Sequence, residues 1–344
     1  MYNFLDSEGN LKLLNLLCSG KGVDFNLSNL SLLLDKHRNT IKERTYQLIQ
    51  HKVIDKPIYP FAHLINEYPL LVISKDEFIR DELTNKFIEK DPHIYAAFFF
   101  REEVYNTLTI QFHKDLHSYQ TWNDRAMKEE KITRNDSKHP SEAMFFSTKR
   151  ILKFDPAAPI NIIAKGFKEG KIKKISGYKL DSLSINILKR VLKGKGIRTN
   201  ENLIARELDI NRKTVQRKIQ TLLNDRIIMK PVSRFPRVIV PPDFILVLSL
   251  IESKNHCEDV ESSLINDSHI TVLIRANVGR YNLLSMGAFK TIEDHLLWQE
   301  QYSQRFPWCI GAIKDIYLSP VMTSSISQNY ISLKLIEEKL NNLN

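Results

Sequence analysis

The feature that most constrains this chain is that it matches itself. Leu34-Asp35-Lys36-His37-Arg38-Asn39-Thr40 lines up with Leu208-Asp209-Ile210-Asn211-Arg212-Lys213-Thr214, and downstream Lys56-Pro57 lines up with Lys230-Pro231 without a gap. Later, Asp91-Pro92-His93-Ile94 matches Asp267-Ser268-His269-Ile270, Tyr105-Asn106 matches Tyr281-Asn282, and Trp122 matches Trp298. The offset stays near about 175 residues throughout, so the 344 residues are expected to form two copies of one two-domain unit.

Within the second copy, Ile185, Leu188 and Leu192 fall at helical spacing and run into Gly194 and Gly196. A short helix follows from Glu201 to Leu208. After the turn Asp209-Ile210-Asn211, with Asn211 as N-cap, a third helix carries Val215, Ile219, Leu222 and Leu223 on one face. Pro231 stops it before a basic, hairpin-like segment, Val232 to Arg237. Three short helices and a basic wing predict a winged helix-turn-helix, and Leu11 to Phe61 repeats the layout. Each copy then changes pattern. Phe244 to Ile251, a helix before Asn266, His269 to Arg275, Tyr281 to Phe289, Ile292 to Phe306 and Ile313 to Leu318 give the order βαββαβ, a ferredoxin-like antiparallel sheet under two helices. Leu70 to Phe154 is its first-copy equivalent, with a polar insertion from Lys128 to Ser141 expected to be a loop.

The expected fold class is therefore α+β, two copies of a winged helix-turn-helix followed by a ferredoxin-like βαββαβ domain. The boundaries are 1–62 and 66–158 for the first copy, a basic linker at 159–179, 180–240 and 241–322 for the second, and a helical tail at 323–344.

Charge bears on the partner. A net charge of +10 with 42% hydrophobic residues suits a soluble protein that meets a polyanion. The charge is concentrated: Asp181 to Val240 holds 14 Lys and Arg against 5 Asp and Glu, whereas Leu5 to Pro60 holds 8 against 6. The longest apolar run, Phe244 to Ile251, is strand-sized, so a cytoplasmic chain without a membrane span is expected. Cys18, Cys257 and Cys309 are odd in number and far apart, and are expected to be ordinary thiols.

A winged helix-turn-helix joined to a βαββαβ domain that contains Asn277-Val278-Gly279-Arg280-Tyr281-Asn282-Leu283-Leu284 resembles the Lrp/AsnC family of bacterial and archaeal regulators, twice over nearly the whole chain. The resemblance implies a sequence-specific DNA-binding transcriptional regulator whose α/β domains pair through their sheets. It also implies binding of a small effector such as an amino acid near a Gly-x-Tyr/Phe-Asp turn. Gly279, Tyr281 and Asn282 stand at that turn, with Asn in place of the usual acid; Tyr105 and Asn106 match them in the first copy, which lacks the Gly. Ordinary members pair between chains, so two units in one chain imply internally paired repeats or a homo-oligomer. The same architecture also resembles siroheme decarboxylases, sometimes fused pairs, in which the α/β domains bind a tetrapyrrole between them. An architectural protein that coats double-stranded DNA is a third reading.

The residues of the third helix decide between these at the sequence level. Lys213, Gln216, Arg217 and Gln220 form one stripe opposite Val215, Ile219 and Leu222. Arg can pair with guanine and Gln with adenine, while Arg212 and Lys213 at the helix start, with Arg234 and Arg237 on the wing, suit phosphates. A solvated polar face has the same look, but its position in the motif favours DNA. The first copy offers Asn39, Lys42 and Tyr46, with Glu43 where Arg217 stands, a carboxylate that repels phosphate. His113 and His117, four apart, would suit a metal only on a helix, and Asp115 between them reads as a helix cap, so no metal is expected. Trp122 and Trp298 read as core anchors. No nucleophile, P-loop, metalloprotease or dinucleotide motif is present, which leads to the expectation of no catalytic residues, no cofactor and no enzyme activity.

Overall fold

A computed structural model describes residues 4–102, 104–128, 141–236, 239–254, 258–276, 280–318 and 329–343. Its first helix-turn-helix comprises α1 (Glu8–Cys18), β1 (Val23–Phe25), α2 (Leu27–Leu34) and α3 (Arg38–Gln50). A short α4 (Leu64–Glu67) leads to the first α/β domain: β2 (Leu70–Asp76), α5 (Glu82–Lys90), β3 (Ile94–Glu102), β4 (Tyr105–His113), α6 (Leu116–Lys128) and β5 (Glu142–Ser147), followed by an added strand β6 (Ile151–Phe154). The segment expected as a linker carries α7 (Ile160–Lys168) and a hairpin of β7 (Lys174–Ile175) and β8 (Tyr178–Lys179). Buried Ile160, Ile163, Ile172 and Ile175 explain why this Lys-rich stretch folds. The second copy repeats the order as α8 (Ser182–Val191), β9 (Ile197–Thr199), α9 (Glu201–Glu207), α10 (Arg212–Asn224), β10 (Ile245–Ser253), α11 (Glu258–Asn266), β11 (Ile270–Arg275), β12 (Leu283–Phe289), α12 (Ile292–Arg305) and β13 (Ile310–Leu318), and α13 (Tyr330–Asn341) comes last. The architecture is α+β, two winged helix-turn-helix modules each followed by a ferredoxin-like sheet. The insertion expected from Lys128 to Ser141 lies, but for its end residues, outside the described ones.

The chain divides into two compact units. Residues 1–64, 163–236 and 329–344 form the first, so both helix-turn-helix modules share one body. They are joined about an internal two-fold: β1 pairs antiparallel with β9, Val23 facing Thr199, Asp24 facing Arg198 and Phe25 facing Ile197. Beyond the strands the Asn26 N–H donates to the Gly196 carbonyl at 2.6 Å and the Asn200 N–H to the Gly22 carbonyl at 2.5 Å, after which the side chains of Asn26 and Asn200 cap α2 and α9. The backbones approach so closely that a Cβ on Gly22 would lie 2.7 Å from Ile204 Cγ1 and one on Gly196 2.5 Å from Leu30 Cδ2, at φ of +84° and +85°. The wings differ from expectation. Over the described residues neither forms a hairpin of its own: Ile58 bridges Val232 and Phe61 bridges Ile228, so each wing finds backbone partners in the other copy as well as in its own first helix, Tyr59 N–H donating to the Leu17 carbonyl and Ser233 N–H to the Val191 carbonyl, both at 3.1 Å. Helix α13 packs on α1, and the Asn329 amide donates to the Cys18 carbonyl at 2.9 Å.

Residues 65–162 and 237–328 form the second unit, with sheets in the orders β3-β4-β2-β5 and β13-β10-β12-β11-β6. Strand β6 belongs in sequence to the first copy but pairs with β11 of the second, Phe154 facing Val272 and Lys153 facing Leu273. A quartet of charges also links the two sheets: the fully buried Lys75 ammonium lies 2.9 Å from Glu102 and 3.4 Å from Glu142, and Lys314 on β13 lies 3.9 Å and 3.7 Å from the same carboxylates. A buried ammonium paired this way, with partners that reach water, avoids the cost of an isolated charge.

The helix-covered faces differ between copies. In the second, Val247, Ile251, Leu273, Leu283, Phe289 and Trp298 make an apolar cluster. In the first, Ser74, Asp76, Thr107, Thr109, Gln111 and His113 are all buried, and Ser74 Oγ donates to Asp76 at 2.8 Å. Each tryptophan anchors its copy through a buried carboxylate, Trp122 donating to Asp91 at 2.9 Å and Trp298 to Asp267 at 2.8 Å. Among the described residues no helix is long and apolar enough to cross a membrane. Cys18 is a buried free thiol, whereas Cys309 is disulfide-bonded, contrary to the expectation of three thiols.

His113 stacks on His93 at 4.5 Å, where the second copy stacks Phe289 on His269 at 4.9 Å. Burial and the neighbouring His93 push its pKa down from 6.5 to about 3. Because the unfolded ring takes up a proton below 6.5 and the folded ring does not, the stability held by neutral His113 is complete above pH 6.5 and is lost as pH falls toward 3. Thermal melts across that range are expected to show a smaller acid-side loss for His113→Phe than for the native chain, whatever its stability at neutral pH. An unchanged pH slope would exclude His113 as its source.

Candidate functional site

The expected recognition helix, α10, is built as its sequence dictates. Asn211 caps it, its side chain accepting from the Lys213 N–H at 2.8 Å, and Val215, Ile219 and Leu222 are buried beneath it. Lys213, Gln216, Arg217 and Gln220 are exposed on the opposite side, with no partner for the Arg217 guanidinium among the described residues. Gln220 donates to Asn224 at 2.8 Å, and Arg212 is held by Glu201 at 2.9 Å. Arg234 is half-buried and bonds Asn329 within the unit. Arg237 lies outside the described residues. In the first copy Asn39, Lys42 and Glu43 are exposed, and Tyr46 is 60% exposed.

At the expected effector turn the geometry is more restrictive. Asn282 accepts from the Ser253 N–H at 2.7 Å and donates to the Ser253 carbonyl at 2.6 Å; Asn106 does the same to Phe78 at 3.0 and 2.8 Å. Both amides thus close the hairpin onto the end of the first strand of each domain. Tyr281 is half-buried beneath the Arg280 guanidinium, 5.9 Å from its ring centre, and Tyr105 is half-buried; Gly279 lies outside the described residues. His113 ends β4 while His117 lies in α6, so their spacing is not helical, and the Asp115 carboxylate accepts from the Ser118 N–H at 2.7 Å.

The second unit holds a cleft that none of these residues lines. After β5 the chain makes a single tight turn, Thr148–Arg150, tied down by the Thr148 N–H and hydroxyl on the Pro69 carbonyl at 2.9 and 3.1 Å. It then crosses to the other sheet as β6. This corner leaves a cavity of about 410 Å³ walled by Leu70, Phe145 and Phe146, with Arg150 and Arg275 at its rim. Arg275 is paired with Glu261, whereas Arg150 is exposed with no partner among the described residues. Phe145 is 45% exposed, its ring edge-on to Tyr119 at 5.3 Å, an apolar surface left open beside two cations. Such a lining suits a flat or aromatic body bearing carboxylates. Sequence inspection misses these residues because they come from three separated segments; the one local signal is the turn after β5.

No known family profile matches the chain, and no curated protein matches it. Over 98% of this chain and 99% of that one, the fold resembles the crystal structure of the siroheme decarboxylase NirDL, with a TM-score of 0.52 at 12% sequence identity. The likeness is to an enzyme. NirDL in co-complex with an iron-uroporphyrin III analogue matches over 97% and 99%, again at 0.52 and 12%. A transcriptional regulator from Neisseria meningitidis in complex with L-Met overlaps 42% of this chain and 89% of its own, at 13% identity and a TM-score of 0.30, too slight to argue from. The shared fold is the α+β arrangement expected from the sequence. The expectation that the chain is not an enzyme does not stand: its end-to-end architecture is shared with a decarboxylase, so missing motifs do not exclude catalysis.

Because Asn282 satisfies both backbone groups of Ser253, Asn282→Ala is expected to lower stability by about 1–3 kcal/mol with or without any ligand. Urea denaturation of the ligand-free chain measures this. A variant as stable as the native chain would free Asn282 for a role at a ligand.

Proposed function

We propose that the second unit binds a carboxylated tetrapyrrole at the β5–β6 corner and that the chain acts on it as a siroheme-decarboxylase-like enzyme. The observation that carries this reading is the end-to-end likeness to NirDL, one structure of which holds an iron-uroporphyrin III analogue. The cleft supports it: Arg150 and Arg275 suit peripheral carboxylates, and Phe145 and Phe146 suit the face or edge of a macrocycle. A cavity of about 410 Å³ would hold one side of such a molecule. Loss of CO₂ leaves the bonding electrons on the side-chain carbon, which must then take a proton. The arginines would orient the carboxylates rather than supply that proton, since a guanidinium stays protonated.

Mixing the purified chain with siroheme, or with an iron-uroporphyrin III analogue, is expected to shift the pigment's absorption band. Arg150→Ala should weaken binding about tenfold while leaving the fold intact, because Arg150 is exposed and has no partner among the described residues. An unperturbed spectrum at high pigment concentration would end this reading.

A second reading rests on a different observation, the exposed stripe Lys213, Gln216, Arg217 and Gln220 on α10. It makes the helix-turn-helix unit a reader of double-stranded DNA, with α10 contributing more than α3. Arg217→Glu is then expected to cost more than the about 1–3 kcal/mol of a lost guanine contact, since it also adds an anion facing phosphate. Titration on a selected DNA site over a salt series checks it. Equal losses from Arg217→Glu and Lys42→Glu would show that both helices read DNA alike.

A further inference from the structure

The duplication provides an internal control for a second cavity. Between α5 and α6 of the first α/β domain lies a groove of about 380 Å³, floored by Leu83, Phe87 and Pro92 and edged by Lys86, Lys90 and Arg125. In the second copy the equivalent place is plugged. There the Tyr302 hydroxyl donates to Asp267 at 2.9 Å and accepts from Ser263 at 3.3 Å, and Arg305 donates to the same serine at 3.3 Å. The first copy has Ala126 where Tyr302 stands and Phe87 where Ser263 stands, which among the described residues replaces the plug by an apolar wall. The charges change with the shape: Lys86, Lys90 and Arg125 correspond to Ser262, Asn266 and Gln301.

The charges around the groove do not cancel. Asp91 is buried and held by Trp122 at 2.9 Å and by Arg125 Nη2 at 2.6 Å, so its charge is satisfied from within. Arg125 Nε is nevertheless buried without a hydrogen-bond partner, and Lys90 has no ion-pair partner among the described residues. Lys86 pairs with Glu82 at 2.7 Å, but both side chains stand largely in water, where such a pair contributes little. Positive charge beside an unplugged apolar floor, in one copy and not the other, is more than a solvated helix face requires.

We propose that this groove is a binding site for a small organic anion with an apolar body, an aryl or alkyl carboxylate or sulfonate. Its acid group sits between Lys90 and Arg125 and its body lies on Phe87, Leu83 and Pro92. The site shares no residue with the β5–β6 cleft and stands whether or not that cleft holds a tetrapyrrole.

Anilinonaphthalene sulfonate, an apolar anion whose emission rises on burial, is the probe, titrated into the full chain beside the uncharged phenylnaphthylamine. The double variant Lys86→Ser, Lys90→Asn imports the second copy's residues at solvent-facing positions and spares the Asp91–Arg125 pair. It is expected to bind the sulfonate about tenfold more weakly, with unchanged affinity for the uncharged compound, while Arg150→Ala leaves sulfonate binding as it was. Equal sulfonate affinity for the double variant and the native chain overturns the proposal. So does a native chain that does not bind the sulfonate, or that holds the uncharged compound as tightly. A loss seen in Arg150→Ala instead places the probe in the other cleft and overturns it equally.

Discussion

The first unit depends on a contact three residues long. Strands β1 and β9 meet about a two-fold that passes through the pair Asp24 and Arg198, and the two helix-turn-helix modules are oriented by it. Three-residue strands carry few hydrogen bonds, and the pairing is reinforced where Gly22 and Gly196 let the backbones close onto Ile204 and Leu30. Once the strands are set, each wing reaches the other copy's wing, and Arg44 of α3 pairs with Asp181 at the start of α8 while Lys218 of α10 donates to Asn10 of α1. The faces left to solvent, α10 above all, follow from that arrangement.

The two copies share their scaffold and differ in what they enclose. The tryptophan-to-aspartate bond is the same in both, as is the asparagine that closes the central hairpin, which is why these residues stand out in the internal match. Around them the second copy is filled with hydrocarbon and aromatic rings, whereas the first encloses Asp76, whose pKa burial raises to about 6, beside serines, threonines and a neutral histidine. Lys75, buried in the first copy, corresponds to Leu250 in the second. A charge quartet that joins unlike sheets favours pairing of first with second copy over pairing of like with like, because two first copies would bring glutamates together where Lys314 now sits.

Much of the fold was legible because it is written in periodicity and caps. Buried Val215, Ile219 and Leu222 recur at helical spacing, Asn211 caps α10, and the βαββαβ order emerges from strand-length apolar runs. The sharing between copies was not. Ile151 to Phe154 looks like the continuation of a domain's last strand, and only three-dimensional pairing with β11 shows that it leaves for the other sheet. The cleft was hidden for the same reason, since Arg150 and Arg275 have no common motif and meet through that crossover. Asn282, singled out by a resemblance, also has a structural task that the resemblance does not announce, one bond accepted from and one donated to the backbone of Ser253. The wing cation Arg234 is half-buried and bonds Asn329, a partnership that nothing local in the sequence reveals.

Helix α13 packs on α1, and Asn329 reaches a carbonyl 311 positions before it. During synthesis, therefore, α1 is made well before the segment that covers it. Strand β1 is completed only by β9, and α1 is covered only by residues 330–341, so buried side chains such as Leu30, which packs at Gly196, stay uncovered until those segments follow. The βαββαβ domain in between has a chance to form while that wait lasts. The first unit can therefore close only once both of those segments are made, an interval in which a chaperone that shields α1 would have the opportunity to act.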